Sequence, residues 1–296
     1  MRFGNSLLIA FVAALSICAF APAGAQAQEP IQPPPPDYIE IGDEGTYPQN
    51  YVLRPLTLPR GTIQGDLSLQ IARLSILGFT ETGVALSLGG GVGITDDLQV
   101  TLSGERIGGA RTGALTRGGL LNIALSPDAD ILDSALHARY RLLSTESFEL
   151  AAELGLNIPF DTDFGFSVGA PFRLRVGEIF ALDGALEFVV VFTDDTFVGL
   201  SIPVQPRVAF GSFGYGGVNT GIIAGLTDAK VLTIPLGFEA GATLQVAGVG
   251  LDAFVAFDFP LFYQSLDLGG EREGDVFTDL WTLTLGARAY IDVFGN

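Results

Sequence analysis

The stretch that decides the fold is residues 135–160, which read ALHARYRLLSTESFELAAELGLNIPF. Apolar residues occupy every second position on both sides of a short polar turn at residues 144–147, and charged or small residues lie between them. A period of two is typical of β-strands, and two such runs around a polar turn predict a β-hairpin. One face is apolar and the other is polar, as in a strand that meets lipid on one side and a polar lumen on the other.

The same alternation continues through most of the chain from residue 61. Short connections near residues 96, 145, 178, 212 and 247 occur at every second position, and longer connections lie between them. Short turns at one end and longer loops at the other are typical of membrane barrels. The alternation therefore predicts an all-β fold, a transmembrane antiparallel up-and-down β-barrel of about 12 strands, with about 10 or 14 as alternatives.

The alternation is less regular between residues 98 and 134 than in the rest of the barrel. The third strand is expected at residues 98–106, and residues 107–134 are expected to form a long irregular loop. An extra short strand at residues 120–125 is the alternative within that loop.

Composition and charge narrow the class of protein. Hydrophobic residues make up 48% of the chain and charged residues only 16%, against about 25% charged residues in soluble domains. After the first 25 or so residues, no apolar run reaches the length of about 18 residues that a membrane-spanning helix needs. The net charge is −18, which argues against a nucleic-acid partner. Lys230 is the single lysine, and so sparse a lysine content disfavours a soluble secreted β-sandwich, the remaining fold alternative.

The N-terminal 60 residues divide into two segments. Residues 1–25 have a charged Arg2, an apolar region and small residues before the cleavage point, which predicts a secretory signal peptide, with cleavage after residue 27 as an alternative. Residues 26–60 are rich in proline and lack alternation, so they are interpreted as an extended periplasmic arm before the barrel of residues 61–296. The alternatives for this arm are a plug in the pore and a contact with the cell wall.

With its signal peptide and its strands over residues 61–296, the chain resembles Gram-negative outer-membrane β-barrel proteins of the porin-like type. Thr284, Gly286, Ala289 and Ile291 loosely fit the assembly signal near the end of such barrels. The resemblance implies a place in the cell outer membrane, contact with its lipid and lipopolysaccharide, and insertion by the barrel assembly machinery. It implies no cofactor, and the sequence does not indicate the oligomeric state.

The preferred function at this point is a narrow passive channel for ions or small polar solutes. One alternative is a structural or binding barrel with an occluded lumen. Another is a lipid-modifying enzyme that uses His137, the single histidine. No serine partner for His137 is marked in the sequence, and no cluster of cysteines and histidines suggests a metal, so no enzymatic activity and no metal site are predicted.

The polar faces of the strands supply the candidate functional residues. Strand by strand, the charges predicted to line the pore are Arg139, Arg141, Glu149, Glu153, Arg173, Arg175, Asp183, Glu187, Arg207, Glu239, Asp252, Asp258 and Arg288, with Asp66 and Glu105 as further inward acids.

Charges on the four consecutive strands between residues 135 and 192 alternate in sign from strand to strand. Counting back from the turns brings Arg141 close to Glu149, and Arg173 close to Asp183. Opposite charges on neighbouring strands attract, which predicts a cross-strand network. Independently solvated pore charges are the alternative.

Overall fold

The structure, a computed structural model, describes residues 47–76, 79–102, 121–126, 130–132, 134–158, 164–192, 196–227, 230–267 and 272–293. These residues form a 3₁₀ turn, Tyr51–Leu53, and 15 strands. The strands are β1 (Thr62–Ile76), β2 (Phe79–Gly93), β3 (Leu98–Thr101), β4 (Leu121–Ser126), β5 (Asp130–Leu132), β6 (Ser134–Ser144), β7 (Phe148–Ile158), β8 (Gly165–Val176), β9 (Phe180–Val191), β10 (Phe197–Phe210), β11 (Gly214–Gly225), β12 (Lys230–Val246), β13 (Val249–Asp267), β14 (Arg272–Val276) and β15 (Leu280–Asp292).

The sheet closes on itself, because β1 pairs with β2 on one side and with β15 on the other. Two wall strands are built from two pieces each. Both β3 and β4 pair with β2, and β5 and β6 lie beside them as partners of β4 and β3. Strand β14 pairs only with the end of β13. The wall is therefore a closed barrel of 12 antiparallel strands, as the alternation predicted.

The third wall strand departs from its predicted bounds. The predicted strand 98–106 is observed as β3, and residues 103–120 lie outside the described residues. Within the predicted irregular loop 107–134, β4 and β5 are pieces of the wall, so the extra strand expected at 120–125 belongs to the barrel. The physical reason is the edge of β2. This strand is 15 residues long and β3 only 4, and in lipid the remaining N–H and C=O groups of β2 need a partner strand.

The outer face of the described barrel is apolar. Side chains such as Leu67, Leu186 and Phe210 point away from the lumen, and 48%, 53% and 60% of their surfaces are exposed. No helix among the described residues is long and apolar enough to cross a membrane. A closed sheet with an apolar exterior satisfies its backbone groups internally and presents hydrocarbon to lipid. This is the exterior of an outer-membrane barrel.

Tight turns mark one end of the barrel. Gly177, Gly211 and Gly248 have φ angles of 60°, 66° and 82°, which other residues adopt only at a cost. The first residue of β1 is paired with the last residue of β15, at Thr62 and Asp292. Both ends of the barrel wall therefore lie at the end with the tight turns.

We expect the purified protein to need detergent and to migrate differently on SDS gels before and after boiling. A closed ring of strands keeps its hydrogen bonds in cold SDS, whereas boiling opens it and exposes the whole chain to detergent. The boiled half of the same sample is the control. Recovery of the folded protein in buffer without detergent would contradict a membrane barrel.

Candidate functional site

Charged side chains occupy alternate positions on the inner wall. The structure places all of the predicted pore-lining charges on this inner face, where each is buried or half-buried: Arg139, Arg141, Glu149, Glu153, Arg173, Arg175, Asp183, Glu187, Arg207, Glu239, Asp252, Asp258 and Arg288. Asp66 also faces inward, and Glu105 lies outside the described residues.

Residues 47–60, here called the plug segment, lie inside the barrel. Their contacts reach inward side chains of β3, β6, β7, β8, β10, β11, β12, β13 and β15. The Asn50 side chain donates to the carbonyl of Glu178 in the β8–β9 turn at 2.9 Å, and the Arg60 N–H donates to Asp96 in the β2–β3 turn at 3.1 Å. The segment therefore crosses the lumen near the end with the tight turns.

This location corrects the interpretation of residues 26–60 as a periplasmic arm. For residues 47–60, the structure has the plug that the sequence left as an alternative. The reason is chemical: the segment contains an arginine and several apolar side chains that find buried partners on the wall. Residues 26–46 lie outside the described residues, and the arm there stays a prediction.

Arg54 anchors the plug segment. Its two terminal nitrogens donate to the two carboxylate oxygens of Asp252 at 2.6 and 2.7 Å, and one of them also donates to the Thr243 hydroxyl at 2.6 Å. Its Nε donates to the carbonyl of Pro48 at 3.0 Å. The Arg54 and Asp252 side chains are 3% and 0% exposed. A fork of this kind combines charge with fixed geometry, so it specifies one position for the segment.

Aromatic rings enclose the same guanidinium. Its central carbon lies 5.2 Å from the Tyr47 ring, 4.9 Å from Tyr51 and 5.2 Å from Tyr290. Burial disfavours the charge of Arg54, but Tyr290 and the hydrogen-bonded Asp252 carboxylate outweigh burial and raise the pKa of Arg54 above its ordinary value. Arg54 therefore remains charged inside the lumen.

Wall arginines hold the main-chain carbonyls of the plug segment. Arg173 and Arg175 both donate to the carbonyl of Arg54, at 2.6 and 2.7 Å. Arg175 also donates to the carbonyl of Val52 at 2.9 Å, and Arg139 donates to that of Leu56 at 2.9 Å. Buried carbonyls need such donors, and here side chains of the wall supply them.

Wall acceptors hold the main-chain N–H groups further along the segment. The N–H of Leu56 donates to Glu149 at 2.5 Å, and the N–H of Leu58 donates to the side-chain oxygen of Gln99 at 2.7 Å. One cavity between the segment and the wall measures about 40 Å³, which is space for a few water molecules. The plug segment therefore packs against the wall at this level of the lumen.

A tight turn returns the chain from the lumen to the wall. Gly61 has a φ of 79° and pairs through its N–H with the carbonyl of Gly93 at 2.9 Å. A Cβ on Gly93 would lie 1.9 Å from the carbonyl oxygen of Pro59, a distance that no side chain permits. Glycine at position 93 therefore allows the plug segment to pass directly against β2.

Ion pairs join the inward charges across neighbouring strands. Arg173 and Asp183 form a fork with contacts of 2.6 and 2.7 Å. The other pairs are Arg139 with Glu153 at 2.5 Å, Arg175 with Glu149 at 3.1 Å, Arg207 with Glu239 at 3.0 Å and with Asp183 at 3.6 Å, Arg288 with Asp66 at 3.6 Å, and Arg141 with Asp97 at 2.8 Å and with Glu149 at 3.8 Å.

The expected contact of Arg173 with Asp183 is thus present, while Arg141 lies closer to Asp97 in the turn than to Glu149. Besides Arg141, Glu149 contacts Arg175 and the plug segment, because β8 lies on the other side of β7.

His137 faces the lumen beside the pair formed by Arg139 and Glu153. Its Nδ1 lies 3.3 Å from a Glu153 carboxylate oxygen, and its ring covers Gly155, where a Cβ would lie 2.9 Å from it. This position is inside the barrel, away from the outer face that meets lipid. Among the described residues, no group of histidine, cysteine and acidic side chains has the arrangement of a metal site.

Four residues that hold the plug segment are absent from the sequence prediction: Arg54, Tyr51, Gln99 and Tyr290. One signal was available for Arg54, since residues 51–56 read YVLRPL, with a single arginine among apolar residues. Tyr51 stacks on Tyr215 with ring centroids 4.5 Å apart. No local pattern reveals that such partners meet, because they are far apart in the chain.

Comparison with known proteins gave structural similarity alone. No protein-family model matches the chain. No curated protein matches it either. An outer-membrane channel from Pseudomonas putida F1 is similar to the structure with a TM-score of 0.49 and 13% identity, over 84% of this chain and 100% of that one.

Two further solved structures are porins. The KdgM porin in complex with disordered oligogalacturonate has a TM-score of 0.48 and 9% identity, over 75% of this chain and 97% of its own. An anion-selective porin from Comamonas acidovorans has a TM-score of 0.33 and 12% identity, over 77% and 98%.

Burial predicts which wall arginines stabilise the barrel. We expect Arg173→Ala to lower the free energy of unfolding by about 3–5 kcal/mol, because it leaves a buried carboxylate without its fork partner. The matched variant Arg141→Ala should cost about 0–1 kcal/mol, because the side chain of its nearer partner Asp97 is 50% exposed and its contact with Glu149 is long, at 3.8 Å. Urea unfolding in lipid vesicles, followed by tryptophan fluorescence, measures both. Equal losses for the two variants would contradict this ranking.

Proposed function

We propose that the protein is an outer-membrane channel for ions or small polar solutes, that its own plug segment closes the lumen, and that the channel conducts when this segment leaves its seat. The lumen is lined by charged and polar side chains, as an aqueous passage requires. At the end with the tight turns, residues 47–60 occupy that lumen.

The observation that carries the proposal is how the plug segment is held. Its contacts with the wall strands are made by side chains of the wall or of the segment. Among the described residues, no hydrogen bond joins the main chain of residues 47–58 to the main chain of a wall strand. The segment can therefore leave without breaking any hydrogen bond of the barrel sheet, so closure and wall stability are separable.

A second candidate function is a structural or binding barrel with a permanently occluded lumen. The deep burial of the Arg54–Asp252 fork favours it, because withdrawing the segment leaves Asp252 buried without its partner. The lipid-modifying enzyme is disfavoured, because His137 lies inside the lumen while lipid meets the outer face. The proposal assigns no catalytic residue.

We expect Arg54→Ala to raise the single-channel open probability at least tenfold in planar bilayers. The variant removes the fork to Asp252 and the guanidinium from among the tyrosine rings, so the plug segment leaves its seat more often. Arg73→Ala is the matched control, because Arg73 is exposed on β1 away from the plug segment, and it should conduct as the wild type does. If neither the wild type nor Arg54→Ala conducts, the permanently occluded barrel is the correct function.

The open channel should prefer cations mildly at low salt. Inward acids outnumber inward wall arginines, and Glu187 makes no ion pair with another described residue. Wall charges act strongly in a narrow lumen and are screened by salt. Reversal potentials of Arg54→Ala across a KCl gradient should show this preference, Glu187→Gln should reduce it, and Glu146→Gln in an exposed turn should leave it unchanged. Anion selectivity would contradict the charge assignment.

A further inference from the structure

We infer that the seat of the plug segment, meaning the inward side chains of the wall that contact residues 47–58, is a peptide-binding site. It takes up an arginine-containing peptide from solution when the segment is out. The inference rests on the proposed function, because it requires the seat to become vacant. It adds a ligand class to the lumen: short peptides with an arginine side chain.

The seat recognises a peptide main chain. Arg139, Arg173 and Arg175 donate to three carbonyls of the plug segment, while Glu149 and Gln99 accept from two of its N–H groups. These are the groups that every peptide carries, and they lie along residues 52–58, which begin in the 3₁₀ turn Tyr51–Leu53. Such contacts give affinity without selecting a sequence.

One pocket of the seat selects a side chain. Asp252, Thr243 and Tyr290, which surround the Arg54 guanidinium, all belong to wall strands. They stay in place when the plug segment leaves. The fork geometry fits a planar guanidinium, whereas a lysine ammonium offers only a point charge. An arginine side chain is therefore the best occupant of this pocket.

The remaining contacts tolerate apolar and aromatic side chains. Val52 packs with Ala181 and Ala209, and Leu56 packs with Ala151. Small wall residues leave room for different apolar groups, so selection at these positions is weak. The stack of Tyr51 on Tyr215 adds a preference for an aromatic ring three residues before the arginine.

The charged side chains of the vacant seat are matched by a ligand that carries both a cation and carbonyl oxygens. Without the plug segment, Asp252 lacks its cation, and Arg139, Arg173 and Arg175 lack their carbonyl acceptors. A metal cation satisfies only the first and a simple anion only the second. An arginine-containing peptide supplies the guanidinium and the carbonyl oxygens in one molecule.

The test uses the full-length Arg54→Ala protein in detergent and a capped synthetic peptide with the sequence of residues 47–58. Isothermal titration calorimetry should show binding of this peptide at least tenfold tighter than binding of the same peptide with leucine in place of its arginine. The double variant Arg54→Ala, Asp252→Asn should lose this difference. Wild-type protein, with its own segment seated, is the control and should bind at least tenfold more weakly than Arg54→Ala.

A second variant keeps the test decisive if the segment of Arg54→Ala stays seated. Tyr51→Ala combined with Arg54→Ala removes the aromatic stack as well, and the gel shift on boiling verifies its barrel. Equal affinity for the two peptides, or no binding to either variant, overturns the inference. Arginine-dependent binding by calorimetry without any channel conductance would refute the proposed function but support the peptide site. Channel conductance with equal affinities for the two peptides would support the proposed function but refute the peptide site.

Discussion

The fork between Arg54 and Asp252 is the interaction on which the position of the plug segment in the lumen depends. Both side chains are almost fully buried, and removing either leaves an unpaired charge where water has little access. The fork fixes the plug segment against β12 and β13, and its position lets Arg173 and Arg175 reach the same main-chain carbonyl. The ion pair and the hydrogen bonds to the main chain of the segment are therefore parts of one arrangement.

The barrel separates two tasks by the alternation of each strand. Outward side chains meet lipid and keep the sheet in the membrane, while inward side chains pair with one another or hold the plug segment. Because the segment is attached through side chains, the wall does not depend on it for its hydrogen bonds. Closure of the lumen can change while the sheet stays intact, and this is the physical basis of the proposed channel.

Much of the fold could be predicted from local pattern. Alternation assigns a face to every residue of a strand without knowledge of its partner, so the sequence predicts an inward position for charges such as Asp183 and Glu239, and the structure has both side chains buried. The contact of Arg173 with Asp183 followed from counting across one short turn. The third wall strand was harder, because β3 and β4 are far apart in the chain and only β2 brings them into line.

By itself the sequence determined the barrel, the direction of its side chains and the pairs beside tight turns, since all of these depend on residues close together in the chain. Only the tertiary structure decided that residues 47–60 lie in the lumen. Arg54 and Asp252 are 198 positions apart, and they meet because closure of the sheet brings β12, β13 and β15 around one point. Prolines and the absence of alternation describe an extended chain, and whether such a chain stays in solvent or fills a lumen depends on the charges that the closed wall presents to it.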